Sequence, residues 1–188
     1  MTGIKTMVIL DLCGGTGSWS KPYLDADYEV INVTLPGYDV RYFKAPDNVH
    51  GILAAPPCTH FSFARTRAKT PRNFTMAMET VEACLRIIWA CRASGSLKWW
   101  ALENPVGYLR QFLGLPAYTF KPCEFGDPWG KRTDLWGYFT PPRKLRTPVE
   151  FEKGQHRASR WHDLPENRPV RRAMTPPKFA QAFFEANP

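Results

Sequence analysis

Short apolar runs recur along the chain, and most are stopped at once by an acidic residue, a glycine or a proline. Continuous runs of this length are typical of strands buried on both faces of a parallel sheet, and an alternating run indicates a half-buried strand. We therefore predict five strands, separated by polar or proline-rich sequence. They are 7–12, 27–33, 51–55, 97–104 and 134–139.

Helical periodicity is found in two places. From Thr75 to Ser94 an apolar residue recurs every three or four positions, and Gly95 ends this stripe. Residues 179–186 predict a second helix after a pair of prolines. The stretch 141–177, in contrast, contains seven prolines and shows no periodicity. Strands that alternate with helical stretches predict an α/β protein with a mostly parallel sheet.

The length of 188 residues and the apolar content of 44% fit a single domain with a sizeable core. We expect this core over 1–140, an irregular basic loop over 141–174, and a C-terminal helix over 175–188 that returns to the core. No apolar run approaches the roughly 18 residues of a membrane span. The first residues predict a buried strand rather than a signal peptide. These features favour a cytoplasmic protein, which we expect to be a monomer.

The chain has five cysteines, an odd number, and no two of them form a CxxC motif. Cys84 and Cys91 are seven residues apart in the predicted helix, so about 10 Å separates their Cα atoms, too far for a disulfide. This usage predicts reduced thiols. No cluster of cysteine and histidine has the spacing of a zinc site, so we expect no metal.

The net charge of +8 is concentrated in two segments. Residues 59–74 carry four basic side chains and no acidic one, and residues 141–172 carry nine basic and four acidic side chains. The remaining residues are close to neutral. Each segment alone could be a solvated loop, but two such segments on a neutral body favour a polyanion as partner. Nucleic acid is the usual polyanion.

Candidate functional groups follow the predicted strands, at the sheet edge where α/β proteins bind ligands. After the first strand, Gly14, Gly15 and Gly17 allow a sharp turn and a close backbone approach to a ligand. No GK[ST] follows, so the turn is not a P-loop, and an ordinary turn remains the alternative. The second strand is followed by Thr34, and Asp39 is the nearest carboxylate that could face an adenosine.

Cys58 follows the third strand, directly after two prolines that stiffen the backbone. A nucleophile needs such a fixed thiol, although positive charge or the substrate must activate it, and a buried structural cysteine is the alternative. Glu103 ends the fourth strand, where burial would raise its pKa and let it hold a proton near neutral pH. An ordinary capping or ion-pair role is its alternative. Lys131 and Arg132 follow a turn that could equally be a charged hairpin.

These segments, in this order, resemble the DNA cytosine-5 methyltransferase family. DLCGGTGS is similar to its cofactor motif, Asp-Leu-Phe-x-Gly-x-Gly-Gly, and AAPPCTHFS to its Pro-Pro-Cys loop. ENP matches its Glu-Asn-Val/Pro motif, and MTPPKFAQAFFEA resembles the late motif that closes the cofactor pocket. The resemblance extends from about residue 7 to residue 186.

The resemblance implies a Rossmann-like fold with helices on both faces of the sheet and S-adenosylmethionine as cofactor. It implies methyl transfer to carbon 5 of cytosine in DNA, with Cys58 as nucleophile, Glu103 as its partner and Arg132 or Lys131 on the base carbonyl. The residues expected to bind the cofactor are Asp11, Leu12, Cys13, Gly14, Gly15, Gly17, Asp39 and Pro57. Those expected to contact DNA are Arg65, Arg67, Lys69, Arg72 and Lys131.

Three positions depart from the family pattern. Thr34 replaces the acid that holds the ribose. The Gln-x-Arg-x-Arg motif can be aligned in two registers, which place either Lys131 or Arg132 at its first arginine position, and neither register supplies both arginines. The segment 141–174 is far shorter than a target-recognition domain, which predicts a short recognition sequence. A small, phage-like enzyme in a bacterial or infected host cell fits this size. RNA or a free cytidine nucleotide as substrate, or a non-catalytic nucleic-acid-binding relic of the fold, remain the alternatives.

Overall fold

The computed structural model describes residues 7–66, 68–128, 130–148 and 174–188. Its strands are β1 (Val8–Leu12), β2 (Glu29–Val33), β3 (Val49–Ala54), β4 (Trp99–Pro105), β5 (Tyr118–Phe120) and β6 (Thr133–Tyr138). Its α-helices are α1 (Lys21–Asp25), α2 (Phe74–Ala93), α3 (Leu109–Leu113) and α4 (Pro177–Ala186). A 3-10 helix spans Pro122–Phe125.

The strands form one sheet in the order β2-β1-β3-β4-β6-β5. β1 pairs in parallel with β2 and β3, and β3 pairs in parallel with β4. β6 runs antiparallel to both of its neighbours. The α/β class is confirmed, but the prediction of a mostly parallel sheet holds for the first four strands only. The link from β5 to β6 contains a 3-10 helix and no α-helix among its described residues, and a parallel return would require a longer crossover.

The core lies on both faces of the sheet. On one face, Val81, Cys84 and Ile88 of α2 pack against apolar side chains of β1, β3 and β4. On the other face, aromatic residues of α4 and of the segment around α1 pack against Ile9, Trp99 and their neighbours. Successive strand residues point to opposite faces, and because both faces are covered, all five residues of β1 are buried, Asp11 among them.

All five predicted strands and both predicted helices are present, with ends that differ by at most two residues. The elements that the sequence did not predict are α1, α3, β5 and the 3-10 helix. The missed α-helices have five residues each and β5 has three. A helix of little more than one turn shows no apolar stripe, so hydrophobic periodicity cannot reveal it.

The predicted basic loop 141–174 falls mostly outside the described residues. Its first part, 141–148, forms neither helix nor strand and lies along β5 and the 3-10 helix. There the Lys144 ammonium is 2.9 Å from a Glu124 carboxylate oxygen, and the Tyr118 hydroxyl donates to the Pro142 carbonyl. The division into a core, a basic loop and a returning segment stays a prediction. None of the helices in the described ranges is long and apolar enough to cross a membrane.

Candidate active site

The turn after β1, residues 13–17, has the backbone conformation that its glycines predict. Cys13, Gly15 and Gly17 have φ angles of 58°, 55° and 71°, in the left-handed region that favours glycine. A Cβ atom on Gly15 would have no other atom within 4 Å, so space for a ligand is open above it. The Asn32 side-chain amide donates to the Gly15 carbonyl over 3.1 Å, which ties the turn to β2.

Asp11 supports this glycine turn from inside the fold. Its side chain is fully buried, and the Ser20 hydroxyl donates to one carboxylate oxygen over 2.6 Å. The other oxygen has no hydrogen-bond partner among the described residues. A Cβ atom on Gly14 would overlap the Asp11 carboxyl, so the turn packs directly on it. Burial raises the pKa of Asp11 to about 6.

We expect Asp11 to make folding stability depend on pH. Burial raises its folded pKa from 3.8 to about 6, so its protonated form favours the folded state. This contribution is fully present below about pH 4 and is lost as the pH rises through 6, for a total of about 3 kcal/mol. We therefore expect the free energy of unfolding in urea, taken as Asp11→Asn minus wild type, to be more favourable to the variant at pH 7 than at pH 4. A difference that does not change with pH would contradict this.

The other residues predicted at the cofactor site are distributed unevenly around the turn. Leu12 is buried in the core, so only its backbone borders the turn, and Pro57 is exposed at the end of β3. Asp39 accepts hydrogen bonds on both carboxylate oxygens from Arg41, over 2.6 to 3.1 Å, and these bonds lower its pKa. Thr34 uses its carbonyl to accept from the Tyr38 amide.

The residues after β3 carry Cys58 to the same sheet edge as the glycine turn. The Ala55 amide donates to the Leu12 carbonyl at the end of β1. The buried side chain of Asn104 donates to the Pro56 carbonyl over 2.9 Å, which ties the Pro-Pro-Cys segment to the end of β4. Cys58 is partly buried, and its carbonyl accepts from the amides of Phe61 and Ser62 in a tight turn. The structure thus brings Cys58 and the Glu-Asn-Pro segment together.

The segment that follows Cys58, residues 58–63, is called here the Cys58 loop, and it is held from two sides. Arg72 donates to the carbonyls of His60 and Ser62 over 2.6 and 3.0 Å. The Tyr108 amide donates to the Phe61 carbonyl, and a Cβ atom on Gly107 would overlap that same carbonyl. Nδ1 of His60 accepts from the amide at the start of α2. Arg72 therefore positions this loop, and His60 uses one ring nitrogen to join it to α2.

Glu103 lies at this edge in an environment that favours its protonated form. Its side chain is 19% exposed, and burial is the main cause that raises its pKa. The Asp134 carboxylate raises the pKa further, while the Lys131 ammonium, 3.9 Å from Oε1, lowers it. Arg132 is exposed, and its carbonyl accepts from the Val106 amide. Of the two alternative cations, Lys131 is therefore the one that faces Glu103.

The basic residues after the Cys58 loop differ in their surroundings. Lys69 is exposed, and Arg65 is partly buried with one terminal nitrogen donating to the Thr70 hydroxyl over 2.8 Å. Arg72 holds the loop backbone as described above, and Arg67 lies outside the described residues. Of the described members of this set, Arg65 and Lys69 are thus the ones with charge available to a partner.

Three site features were missed by reasoning from the sequence. Asn104 stood beside Glu103 in the same motif, but nothing in the sequence showed which segment its side chain would bind. Asp127 accepts from the amides of Lys178 and Phe179 at the start of α4. Close by, the Thr175 amide donates to the Ser18 hydroxyl, which places the start of the 174–188 segment beside the glycine turn. Such contacts join residues far apart in the chain, and spacing does not reveal them.

Comparison with known proteins identifies the class of fold. The chain matches no protein-family model and no curated protein. It is structurally similar to a crystal structure assigned as a DNA modification methyltransferase encoded within a prophage of E. coli, with a TM-score of 0.52 and 14% identity. That alignment covers 77% of this chain and 53% of the other. The likeness shows that this chain has the α/β fold of methyltransferases.

A second structural neighbour is the Entamoeba histolytica methyltransferase EhMeth. It aligns with a TM-score of 0.40 and 10% identity, over 79% of this chain and 57% of that protein. This chain therefore spans little more than half the length of either structure.

Among the described residues, no group of three or more His, Cys, Asp or Glu could hold a metal ion.

Proposed function

We propose that this protein transfers a methyl group from S-adenosylmethionine to carbon 5 of cytosine in DNA through a covalent adduct with Cys58. The observation that carries the proposal is the buried hydrogen bond from Asn104 to the Pro56 carbonyl. It joins the segment bearing the candidate nucleophile to the strand end bearing a carboxyl with a raised pKa. The methyltransferase fold and the glycine turn at the same edge support it.

The residues of the glycine turn fit S-adenosylmethionine. The space above Gly15 is open, and no side chain stands on Gly15 or Gly17 to obstruct a ligand. A backbone that a ligand can approach closely is what an adenosine-containing cofactor requires. Residues 13–17 and Pro57 would hold the cofactor, with Asp11 supporting them from below. When bound, the cofactor supplies an electrophilic methyl group on a sulfonium.

The chain's own residues account for the activation of the base. The Cys58 thiolate forms a bond to carbon 6, which breaks the carbon 5–carbon 6 double bond and makes carbon 5 nucleophilic. Glu103, whose pKa is raised by burial, donates a proton to ring nitrogen 3 from its protonated form as negative charge builds there. Lys131 lies within reach of the same edge to hold the carbonyl at carbon 2. Once carbon 5 carries the methyl group, loss of its proton to water restores the carbon 5–carbon 6 double bond and expels Cys58 as a thiolate, and ring nitrogen 3 returns its proton to Glu103.

Nucleic acid is proposed as the substrate because of charge. The segment 59–74 carries four basic side chains and no acidic one, and it directly follows the nucleophile. In a duplex, carbon 6 of cytosine is inaccessible to a thiol, so the base must leave the stack. Cations beside the nucleophile can bind the phosphates on either side of an extruded base. The segment 141–174 is the proposed source of any sequence preference.

Incubation with labelled S-adenosylmethionine tests the proposed activity directly. Parallel reactions with duplex DNA, RNA and a free cytidine nucleotide should give label in DNA alone, and nucleoside digestion should recover it as 5-methyldeoxycytidine. Label only in RNA or in the nucleotide would move the same chemistry to another substrate. Cofactor binding without methyl transfer to any of the three would make the chain a non-catalytic relic of the fold.

Gly15→Val should weaken S-adenosylmethionine binding by at least about tenfold, because the side chain would fill the open space above the turn. Gly95→Val is the matched control. Gly95 has a φ angle of 82° and equally open surroundings, but it follows α2, away from the turn. Both substitutions carry similar backbone strain, so only loss of ligand space separates them. Equal affinities in calorimetry would contradict the placement of the cofactor.

Arg65 and Lys69 should contribute to DNA binding through phosphates. Each replacement by glutamine should reduce the slope of log affinity against log salt by about 0.9 for duplex DNA, without changing which sequences are methylated. Arg72→Gln serves as the contrast, because Arg72 donates to the backbone of the Cys58 loop. We expect it to lower turnover and leave the salt slope unchanged. A reduced slope for Arg72→Gln alone would show that the roles are reversed.

A further inference from the structure

A cluster of aromatic rings surrounds the Cys58 loop. Phe61 is buried at its centre and contacts Phe74 and Phe112, with ring centroids 6.2 and 6.0 Å away. Phe74 also contacts Tyr108, whose ring meets that of Phe63 at 4.9 Å with an interplanar angle of 80°. The cluster is thus continuous from the core to the surface, and its outer members are aromatic rings that reach solvent.

Phe63 is the outermost ring of this cluster. Its exposed fraction is 54%, and that of Tyr108 is 39%. Among the described residues, Tyr108 is the one ring that Phe63 contacts. In an edge-to-face pair, one ring keeps both of its faces clear of the other. Arg72 lies 4.8 Å from the centroid of Tyr108, against one face of that ring. Whichever ring of the pair offers its edge, at least one face of Phe63 stays clear of Tyr108, and Phe63 is the more exposed of the two rings.

The backbone around Phe63 is fixed although its ring is exposed. Ser62 forms a bridge with Gly107, and the Ser62 carbonyl accepts from Arg72 over 3.0 Å. The Ser62 hydroxyl accepts from the Ala64 amide on the other side of Phe63. An exposed aromatic side chain on a fixed backbone presents a preformed contact surface, and contacts made by such a surface require little further ordering.

The charge beside Phe63 indicates the kind of partner. The exposed Lys69 and the partly buried Arg65 follow it in a segment without acidic residues. A partner that offers flat π faces together with regular negative charge is a nucleic acid strand, in which bases stack on aromatic side chains while cations track the backbone. An apolar peptide would meet the ring but would gain nothing from these cations.

We propose that Phe63, supported by Tyr108, is a stacking platform for an unstacked base of the DNA strand that bears the target cytosine. This inference rests on the proposed function in taking DNA as the partner, but it does not depend on the methyl-transfer chemistry. Stacking requires a base with a free face and tolerates any base identity, so the platform contributes affinity for unpaired DNA rather than sequence preference.

Binding of short single-stranded DNA without cofactor tests the platform. Wild type, Phe63→Ala and Phe63→Trp are compared by fluorescence anisotropy on oligothymidylate of about ten nucleotides, within the usual site size of such surfaces. Phe63→Ala should bind about tenfold more weakly and Phe63→Trp at least as tightly as wild type. Trp89→Ala is the matched control, since Trp89 is 55% exposed and also has an arginine, Arg92, 5.5 Å from its ring.

An abasic oligomer of the same length separates stacking from loop structure. It keeps the phosphates and lacks the bases, so Phe63→Ala should bind it as wild type does. Unchanged affinity of Phe63→Ala for oligothymidylate, or an equal loss on the abasic oligomer, would overturn the platform. A chain that methylates nothing but shows the base-dependent loss would retain the platform and refute the proposed function. Methylation of DNA by the wild type, together with an unchanged affinity of Phe63→Ala for oligothymidylate, would support the proposed function and refute the platform.

Discussion

Cys58→Ala should abolish methyl transfer, with a loss of about a thousandfold or more, while cofactor affinity and the unfolding free energy change little. The reason is that the thiol forms the bond to carbon 6, and without it carbon 5 stays a poor nucleophile. Cys58 is partly buried and lies outside both core clusters, so the truncation removes little packing. Transfer of labelled methyl to DNA, calorimetry with the cofactor and urea unfolding measure the three quantities.

Cys91→Ala is the control for this experiment. Cys91 is buried in the core on the α2 face, away from the glycine turn, so its truncation should lower the unfolding free energy by about 1 kcal/mol and leave the chemical step intact. If Cys58→Ala keeps a tenth of wild-type turnover, the covalent mechanism is wrong. If Cys91→Ala loses turnover without losing stability, the second thiol would have a role that the proposed mechanism does not contain.

The position of the candidate site at one sheet edge could be predicted from the sequence because it follows from a general property of parallel strands. Apolar runs that end in Asp11, in the proline pair before Cys58 and in Glu103 are visible without a structure. Strands β1, β3 and β4 are parallel neighbours, so these three ends must meet. The long helix α2 was predictable for a similar reason, since its apolar stripe repeats over 20 residues.

The partner of each polar side chain could not be predicted in the same way. Lys131 and Arg132 were equivalent in the sequence, and only the pairing of β6 with β4 places Lys131 near Glu103. The sequence predicts Asp39 as a carboxylate that could face an adenosine. In the structure Arg41, two residues on, donates to both of its oxygens, and a contact with the cofactor stays a prediction. Such choices depend on side-chain geometry in loops, where neither periodicity nor spacing constrains the outcome.

The basic segment after Cys58 illustrates the same limit. The sequence predicts Arg65, Arg67, Lys69 and Arg72 as one set of cations for phosphates. In the structure Arg72 donates to two backbone carbonyls of the Cys58 loop, and its guanidinium lies over the ring of Tyr108. Its charge is therefore used in holding this loop. Composition shows how much charge a segment carries, but the hydrogen bonds decide which cations face a partner. The phosphate contacts of Arg65 and Lys69 stay a prediction.

Glu103→Gln should lower the rate of methyl transfer by about a hundredfold or more and change DNA affinity little, because its proton is needed only as the ring is attacked. The pH profile adds a second readout. Burial raises the pKa of Glu103, so the group stays protonated to higher pH than an ordinary glutamate. The alkaline side of the kcat/KM profile should therefore fall as the pH rises through that pKa, and Glu103→Gln should remove this limb.

Lys131→Ala tests whether the alkaline limb of the kcat/KM profile reports the titration of Glu103. The Lys131 ammonium lowers the pKa of Glu103, so its removal should raise that pKa and move the alkaline limb to higher pH. Lys144→Ala is the control, because Lys144 pairs with Glu124 over 2.9 Å, beside the 3-10 helix. It should leave the profile in place. Equal losses of DNA affinity and rate in Glu103→Gln would make Glu103 a positioning residue, and an unmoved limb in Lys131→Ala would assign the titration to another group.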